Sequence, residues 1–188
     1  MPVVSYEMRG DATKGCRAMN RAELEQQLEE LHPVSFAWAL GCCGRDRGEA
    51  EEVLQETYLK ILDGKARFDG RSALKTWLFA VIRRTAAAHR RFGWLRALRF
   101  VSPEGGDVAS REESVERRLM HSEKAAALLR AISSLAPRQR EVIELVFYHD
   151  MTIEQSAEVV GVSLGTARVH YQRGKERLRA ALVRGEMR

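Results

Sequence analysis

Apolar positions recur at helical spacing along most of this chain, beginning at Asn20. Asn20 and Glu23 have the spacing of a capping box, and Leu24, Leu28 and Leu31 fall on one face of the helix that follows. Pro33 is expected to kink or restart that helix; Phe36 and Trp38 lie in the next piece, Val34 to Leu40, which runs into a Gly41 to Gly44 turn. Asp46 and Glu49 open a second helix reaching about Asp63, with Ala50, Val53, Leu54, Thr57, Tyr58, Ile61 and Leu62 on one broad core face. Ser72 is placed to cap a third helix, Ala73 to about Arg91, whose buried stripe is Leu74, Leu78, Val81, Ile82 and Thr85. Periodicity then fails around Ser102-Pro103-Glu104-Gly105-Gly106-Asp107 and returns from Ser114 with Val115, Leu119, Ala126, Leu129 and Ile132. Pro137 suits the first turn of a further helix, whose Val142, Ile143, Val146 and Phe147 complete a core.

The pattern is most explicit from Met151 to Leu182. Ile153, Ala157 and Val160, then Ala167, Tyr171 and Leu178, mark two short amphipathic helices. Gly161 between them can take the left-handed conformation that ends the first, and Ser163 can cap the second. The predicted fold is therefore all-α: two small helical domains joined by a flexible linker, the C-terminal one a helix-turn-helix. The expected boundaries are a loose N-terminal arm over 1–19, a first domain over 20–93, a linker over 94–113 and a second domain over 114–188.

Three polar faces carry the candidate chemistry. On the second helix, Glu52, Gln55, Glu56, Leu59 and Asp63 share the outer side, which is either a solvated face with one stray leucine or a docking surface. Opposite the core stripe of the third helix lie Thr76, Phe79, Arg83, Ala87 and Arg90, flanked by Trp77, Arg84 and Arg91. No Asp or Glu occurs between Asp69 and Glu104, so cations and aromatics interleave there as on surfaces that hold single-stranded nucleic acid. The plainer alternative is that Trp77 and Phe79 are core residues and the arginines only solubilise the helix. On the last helix Thr166, Arg168, Gln172, Arg173 and Lys175 point outward, groups that bind phosphates and base edges. The preceding turn favours DNA binding over a merely wet basic face.

A net charge of +5 agrees with an anionic partner but does not choose between nucleic acid and membrane. No apolar run approaches the length of a bilayer span and the N-terminus has no signal-peptide core, so a cytoplasmic protein without membrane insertion is expected. Cys16, Cys42 and Cys43 are too few and too unevenly spaced for a disulfide framework, and the vicinal pair is a poor ligand set for one tetrahedral metal. No nucleophile–base pair, phosphate loop or carboxylate dyad is present, so neither enzyme activity, cofactor nor metal is expected.

The run Glu49-Ala50-Glu51-Glu52-Val53-Leu54-Gln55-Glu56-Thr57-Tyr58, with Phe68, Ser72, Leu74, Thr76-Trp77-Leu78 and Arg83, resembles the second region of sigma-70-type sigma factors. Leu135, Pro137 and Arg140, then Thr152 to Leu178 with Ser163, Gly165-Thr166 and Arg177, resemble their fourth region. Both blocks stand in the right order over roughly Leu31 to Leu182. With two regions and a short linker, the chain is most similar to the extracytoplasmic-function (ECF) group. The resemblance implies a bacterial initiation factor that binds core RNA polymerase and promoter DNA, as duplex and as melted strand, with an anti-sigma protein as a further partner. It makes Glu52, Gln55, Glu56 and Leu59 the polymerase-binding surface. The loop of Phe68, Arg71 and Ser72 then holds a flipped base of the minus-10 element, while Thr76, Trp77, Phe79, Arg83, Arg84, Arg90 and Arg91 stabilise the melted strand and upstream duplex. Ser163, Gly165, Thr166, Arg168, Tyr171, Gln172, Arg173 and Lys175 read the minus-35 element in the major groove.

Four positions depart from the resembled pattern. Arg84 stands for a common asparagine, His89 for a common aspartate, Ser156 for a large aliphatic residue and Ala167 for valine, which makes the third helix more basic and the helix-turn-helix softer. Two other readings compete. A dimeric helix-turn-helix regulator with a helical sensor domain explains Met151 to Leu182 but not the acidic and Arg-aromatic helices. A metal sensor or enzyme using Cys16, His32, Cys42 and Cys43 lacks a regular ligand spacing.

Overall fold

The computed structural model describes residues 20–99, 128 and 130–186. Among the described residues all regular structure is helical. The N-terminal arm and most of the linker and of the segment from Ser114 lie outside the described residues.

Helix α1 spans Arg21–Cys42. Its capping box forms in both directions: Asn20 Oδ1 accepts the Glu23 N–H at 2.8 Å, and Glu23 Oε2 accepts the Asn20 N–H at 3.1 Å. Pro33 neither breaks nor restarts the helix. It sits on the exposed side, where water can take the carbonyl that its missing N–H leaves unpaired. Helix α2, Arg47–Leu62, starts on Asp46, whose Oδ1 accepts the Glu49 N–H at 2.9 Å. Ala50, Val53, Leu54, Thr57 and Ile61 are buried along it, as the periodicity predicts.

Helix α3, Leu74–Arg99, departs from the expected span at both ends. Ala73 rather than Ser72 supplies the carbonyl that opens it, bonding to the Trp77 N–H at 3.1 Å. At the far end the backbone stays helical through Gly93 into the predicted linker, because Leu95, Arg96, Ala97 and Leu98 are strong helix formers. Leu78, Val81, Ile82 and Thr85 are buried toward α1 and α2.

The C-terminal part holds α4 (Pro137–Phe147), α5 (Ile153–Val160) and α6 (Leu164–Glu186). Pro137 occupies the first turn of α4. Thr152 and Gln155 form a capping box on α5, a pairing that the apolar periodicity alone does not predict. Gly161 has φ 70° and ψ 45°, and its N–H bonds to the Ala157 carbonyl at 2.8 Å. Ser163 Oγ accepts the Thr166 N–H at 3.2 Å to start α6. Both signals of the helix-turn-helix are thus used as expected. Replacing Gly161 by Ala forces a Cβ into the left-handed region at a cost of about 1–2 kcal/mol. The expected melting temperature falls by about 2–8 °C, measurable by circular dichroism.

The two halves share one core. Leu78, Phe79 and Ile82 of α3 cluster with Val142 and Leu145 of α4, Met151, and Val159 and Val160 of α5. Helix α3 is therefore apolar on two sides, one against α1 and α2 and the other against the C-terminal helices. Val142 and Ile143 are buried as predicted, but Phe147 is 61 % exposed, since α4 ends there and the ring lies beyond the core, stacked on Tyr171.

Candidate functional site

Three surfaces emerge. On α2, Glu52, Gln55 and Leu59 are exposed side by side, Leu59 with 54 % of its surface in solvent. Glu56 is half-buried: Lys60 Nζ lies 2.6 Å from its carboxylate, and His89 Nε2 of α3 bonds to the other oxygen. Burial would raise its carboxyl, but the Lys60 and His89 hydrogen bonds overcome this and hold it below the usual carboxylate range. An aspartate at position 89 would instead face Glu56 with like charge. His89 thus ties α3 to the acidic patch of α2.

The second surface lies around the 63–73 loop and the start of α3. Phe68 and Trp77, both half-buried, stand 5.4 Å apart at 57°. Beside Trp77 opens a cleft of about 340 Å³ whose walls include Lys60, Lys65, Arg67 and Arg84. Arg71 is exposed and paired with Asp69 at 3.2 Å; Ser72 is half-buried. Arg84, Arg90 and Arg91 reach solvent, with Arg90 also donating to the Cys42 carbonyl. The remaining three residues assigned to this face do not lie on an open surface. Thr76 and Phe79 are 1 % and 0 % exposed, and Arg83 is enclosed against Glu141, with Nε 3.2 Å from Oε2. Counting residues around one helix locates its sides, but not which distant helix covers them.

What covers Phe79 is His149, a residue that sequence reading missed. Its ring meets Phe79 edge-on at 4.9 Å and Trp38 at 5.7 Å, while Trp38 stacks on Phe79 at 5.7 Å and donates its Nε1–H to the Phe79 carbonyl at 3.0 Å. Burial, reinforced by Lys75, holds the His149 imidazole down to about 4, so it is neutral near pH 7. Nothing in the short Tyr148-His149-Asp150 turn signals this: the partners lie some seventy and more residues upstream.

The third surface is α6. Thr166, Arg168, Gln172 and Arg173 are exposed as predicted, and so is Gly165, whereas Lys175, expected to point outward, is half-buried. Ser163 is also exposed but serves the helix start, and Tyr171 is half-buried between Phe147, 5.9 Å away, and Lys175, whose Nζ sits 5.0 Å over its ring. Arg168 lies 3.4 Å from Glu154. Ser156 and Ala167 are fully buried, the Ser156 hydroxyl bonding to the Thr152 carbonyl at 2.8 Å.

The two described cysteines, Cys42 and Cys43, are free thiols. Burial pushes the Cys42 thiol well up and the Cys43 thiol to about 12, so both are protonated near pH 7. Cys16 lies outside the described residues. Among the described residues no helix is long and apolar enough to cross a membrane.

Residues 28–101 match the Sigma-70 region 2 family, and residues 125–178 match Sigma-70, region 4. The chain belongs to the sigma-70 family as an ECF-type sigma factor. This sigma factor is 33 % identical over 141 residues to the ECF RNA polymerase sigma factor RpoE of Cereibacter sphaeroides, covering 72 % of this chain and 74 % of the relative. It is 32 % identical over 142 residues to ECF sigma factor SigC of Mycobacterium tuberculosis, covering 72 % and 71 %. Its fold is similar to that of the sigma factor RpoE of Bartonella quintana, solved with the anti-sigma factor NepR: TM-score 0.64, 24 % identity, 85 % of this chain and 96 % of that one. As a sigma factor it directs promoter recognition with core RNA polymerase, region 2 and region 4 being the binding modules. A dimeric regulator would leave the region 2 match unexplained.

Proposed function

We propose that this ECF sigma factor divides its work among the three surfaces. The α2 patch of Glu52, Gln55, Glu56 and Leu59 docks core polymerase; the 63–73 loop and α3 take the minus-10 strand; the outer face of α6 enters the major groove at the minus-35 element. The observation that carries this reading is the exposed Leu59 ringed by Glu52 and Gln55: an apolar anchor inside a polar rim has the anatomy of a docking surface. The chain itself performs no catalysis in this reading, acts in the cytoplasm without cofactor or metal, and accepts an anti-sigma protein as a second partner. The exposed rings of Phe147 and Tyr148 are apolar surface that such a partner could cover.

The decisive experiment adds the chain to core RNA polymerase over a promoter library and sequences the transcripts. Initiation at a common motif, absent with core alone, is the expected outcome; transcripts identical with and without the chain refute the reading. For α6, Arg173→Ala is expected to weaken binding of such a promoter duplex and lower the salt slope by about one for each phosphate that the side chain neutralises. Fluorescence anisotropy across a salt series measures this, and an unchanged slope means that Arg173 meets no phosphate.

A further inference from the structure

We propose that His89 is a positioning residue for polymerase docking: bonded to Glu56 from α3, it sets the charge that the α2 patch presents, so that docking weakens as the solution becomes more acidic. The role assigned to His89 rests on the α2 patch being the polymerase surface.

Glu56 is the member of that patch whose carboxylate is already engaged within the fold. Lys60, one turn later on α2, lies 2.6 Å from Oε1, and the His89 imidazole bonds to Oε2 through Nε2. Thr85 of α3 holds Lys60 in turn, its Oγ1 3.4 Å from Nζ, so α2 and α3 meet here through a continuous polar chain. Glu56 is 39 % exposed, Lys60 33 % and His89 28 %, which puts the cluster at the edge of the patch rather than in the core. Gln55 precedes Glu56 directly, and Glu52 and Leu59 lie about a turn to either side.

The Lys60 and His89 hydrogen bonds hold the Glu56 carboxyl below its usual range, so it is ionised throughout the neutral range. With a neutral imidazole, Glu56 and Lys60 cancel and Glu52 leaves the patch negative. With an imidazolium, the same cluster carries one net positive charge beside Leu59. An imidazole is the side chain that makes such a change between about pH 5 and 8. The other charged groups near this end of α3 are turned elsewhere. Arg90 donates to the Cys42 carbonyl at the end of α1, Arg91 is exposed, and Asp46 and Glu49, at the start of α2, gather with Arg90 around Cys43. A partner that binds an acidic patch through cations prefers the neutral ring. Docking therefore favours loss of the His89 proton, and by linkage affinity rises with pH. The histidine stands where the family pattern has a common aspartate, which would keep the patch acidic at any neutral pH. The dependence is thus a property of this chain's own residue.

The test uses the full chain and immobilised core RNA polymerase, with affinity read by biolayer interferometry at about pH 6 and about pH 8, within or near the imidazole range. His89→Gln keeps a donor for Glu56 without ever becoming charged, and His89→Lys keeps a positive charge at both pH values. The response of His89→Gln records what pH does to the polymerase itself. Relative to it, the unaltered chain should bind about threefold to fivefold more weakly at the lower pH and equally well at the higher. His89→Lys should resemble the low-pH form of the unaltered chain throughout. Salt at about 0.5 M should narrow all these differences, as exposed charges require, whereas a packing defect would persist. Circular dichroism checks the fold of each variant, and His89→Asn serves as the neutral replacement should His89→Gln disturb the packing of α2 on α3. Parallel pH responses of the unaltered chain and the neutral variant overturn the proposal, and so does a difference that high salt leaves intact. Failure of the underlying reading shows separately, as wild-type affinity in Gln55→Arg.

Discussion

Gln55→Arg is expected to weaken binding to core RNA polymerase by roughly thirtyfold or more, with the melting temperature unchanged. Gln55 is exposed in the middle of α2, between Glu52 one turn before and Leu59 one turn after, and its side chain takes no part in the buried face of Ala50, Val53, Leu54 and Thr57. A guanidinium at this point replaces a neutral group with a cation in a patch whose neighbours are acidic, and any basic counterpart on the polymerase then meets repulsion and loses its desolvated pairing. Glu56→Arg is a less clean probe, because Lys60 and His89 already hold that carboxylate and would be left facing a third cation. Leu59→Ala removes the apolar anchor alone and should have the smaller effect of the two surface changes. Affinity capture on immobilised core enzyme decides the matter, and wild-type affinity in Gln55→Arg would remove α2 from the docking surface.

Trp38→Ala has the largest expected effect on stability, about 3–5 kcal/mol for emptying a fully buried indole site. A domain of ordinary stability holds about 5–15 kcal/mol in total, so a large share is lost in one substitution. The indole touches both halves of the molecule: it stacks on Phe79, meets His149 edge-on, and spends its only N–H on the Phe79 carbonyl. Urea denaturation followed by circular dichroism should show one transition with a much lower midpoint. Trp38→Phe keeps most of the packing and loses the hydrogen bond, so its shift should be a fraction of that of the alanine. Two separate transitions, only one of them shifted, would mean that the halves do not share a core.

Much of this architecture is legible in the sequence because it is local. Asn20 with Glu23, Asp46 with Glu49, Gly161 with Ser163 and Pro137 each act within a few residues, and each does in the fold what its spacing announces. The α2 faces are legible for the same reason: one helix packed on one side follows its own period. Helix α3 is only half legible. Its second apolar side, centred on Phe79, is completed by His149, and Arg83 by Glu141, partners separated by dozens of residues with no periodic signature between them. Helical counting leaves the Arg-aromatic face wholly open because it assigns direction without knowing the neighbours. His89 stands out in the sequence as a departure in charge, but its hydrogen bond to Glu56 belongs to the packing of α2 on α3.

The two adjacent cysteines are a built-in probe of the packing around the end of α1. Burial raises both thiols, and at Cys42 the charges of Glu141 and Glu144 add to it, so both are kept protonated and slow to react. Loss of the packing between α4 and the end of α1 would remove the Glu141 and Glu144 contributions at Cys42. Alkylation of this one peptide, followed with time, is therefore a readout of whether the packing of α4 on the end of α1 persists.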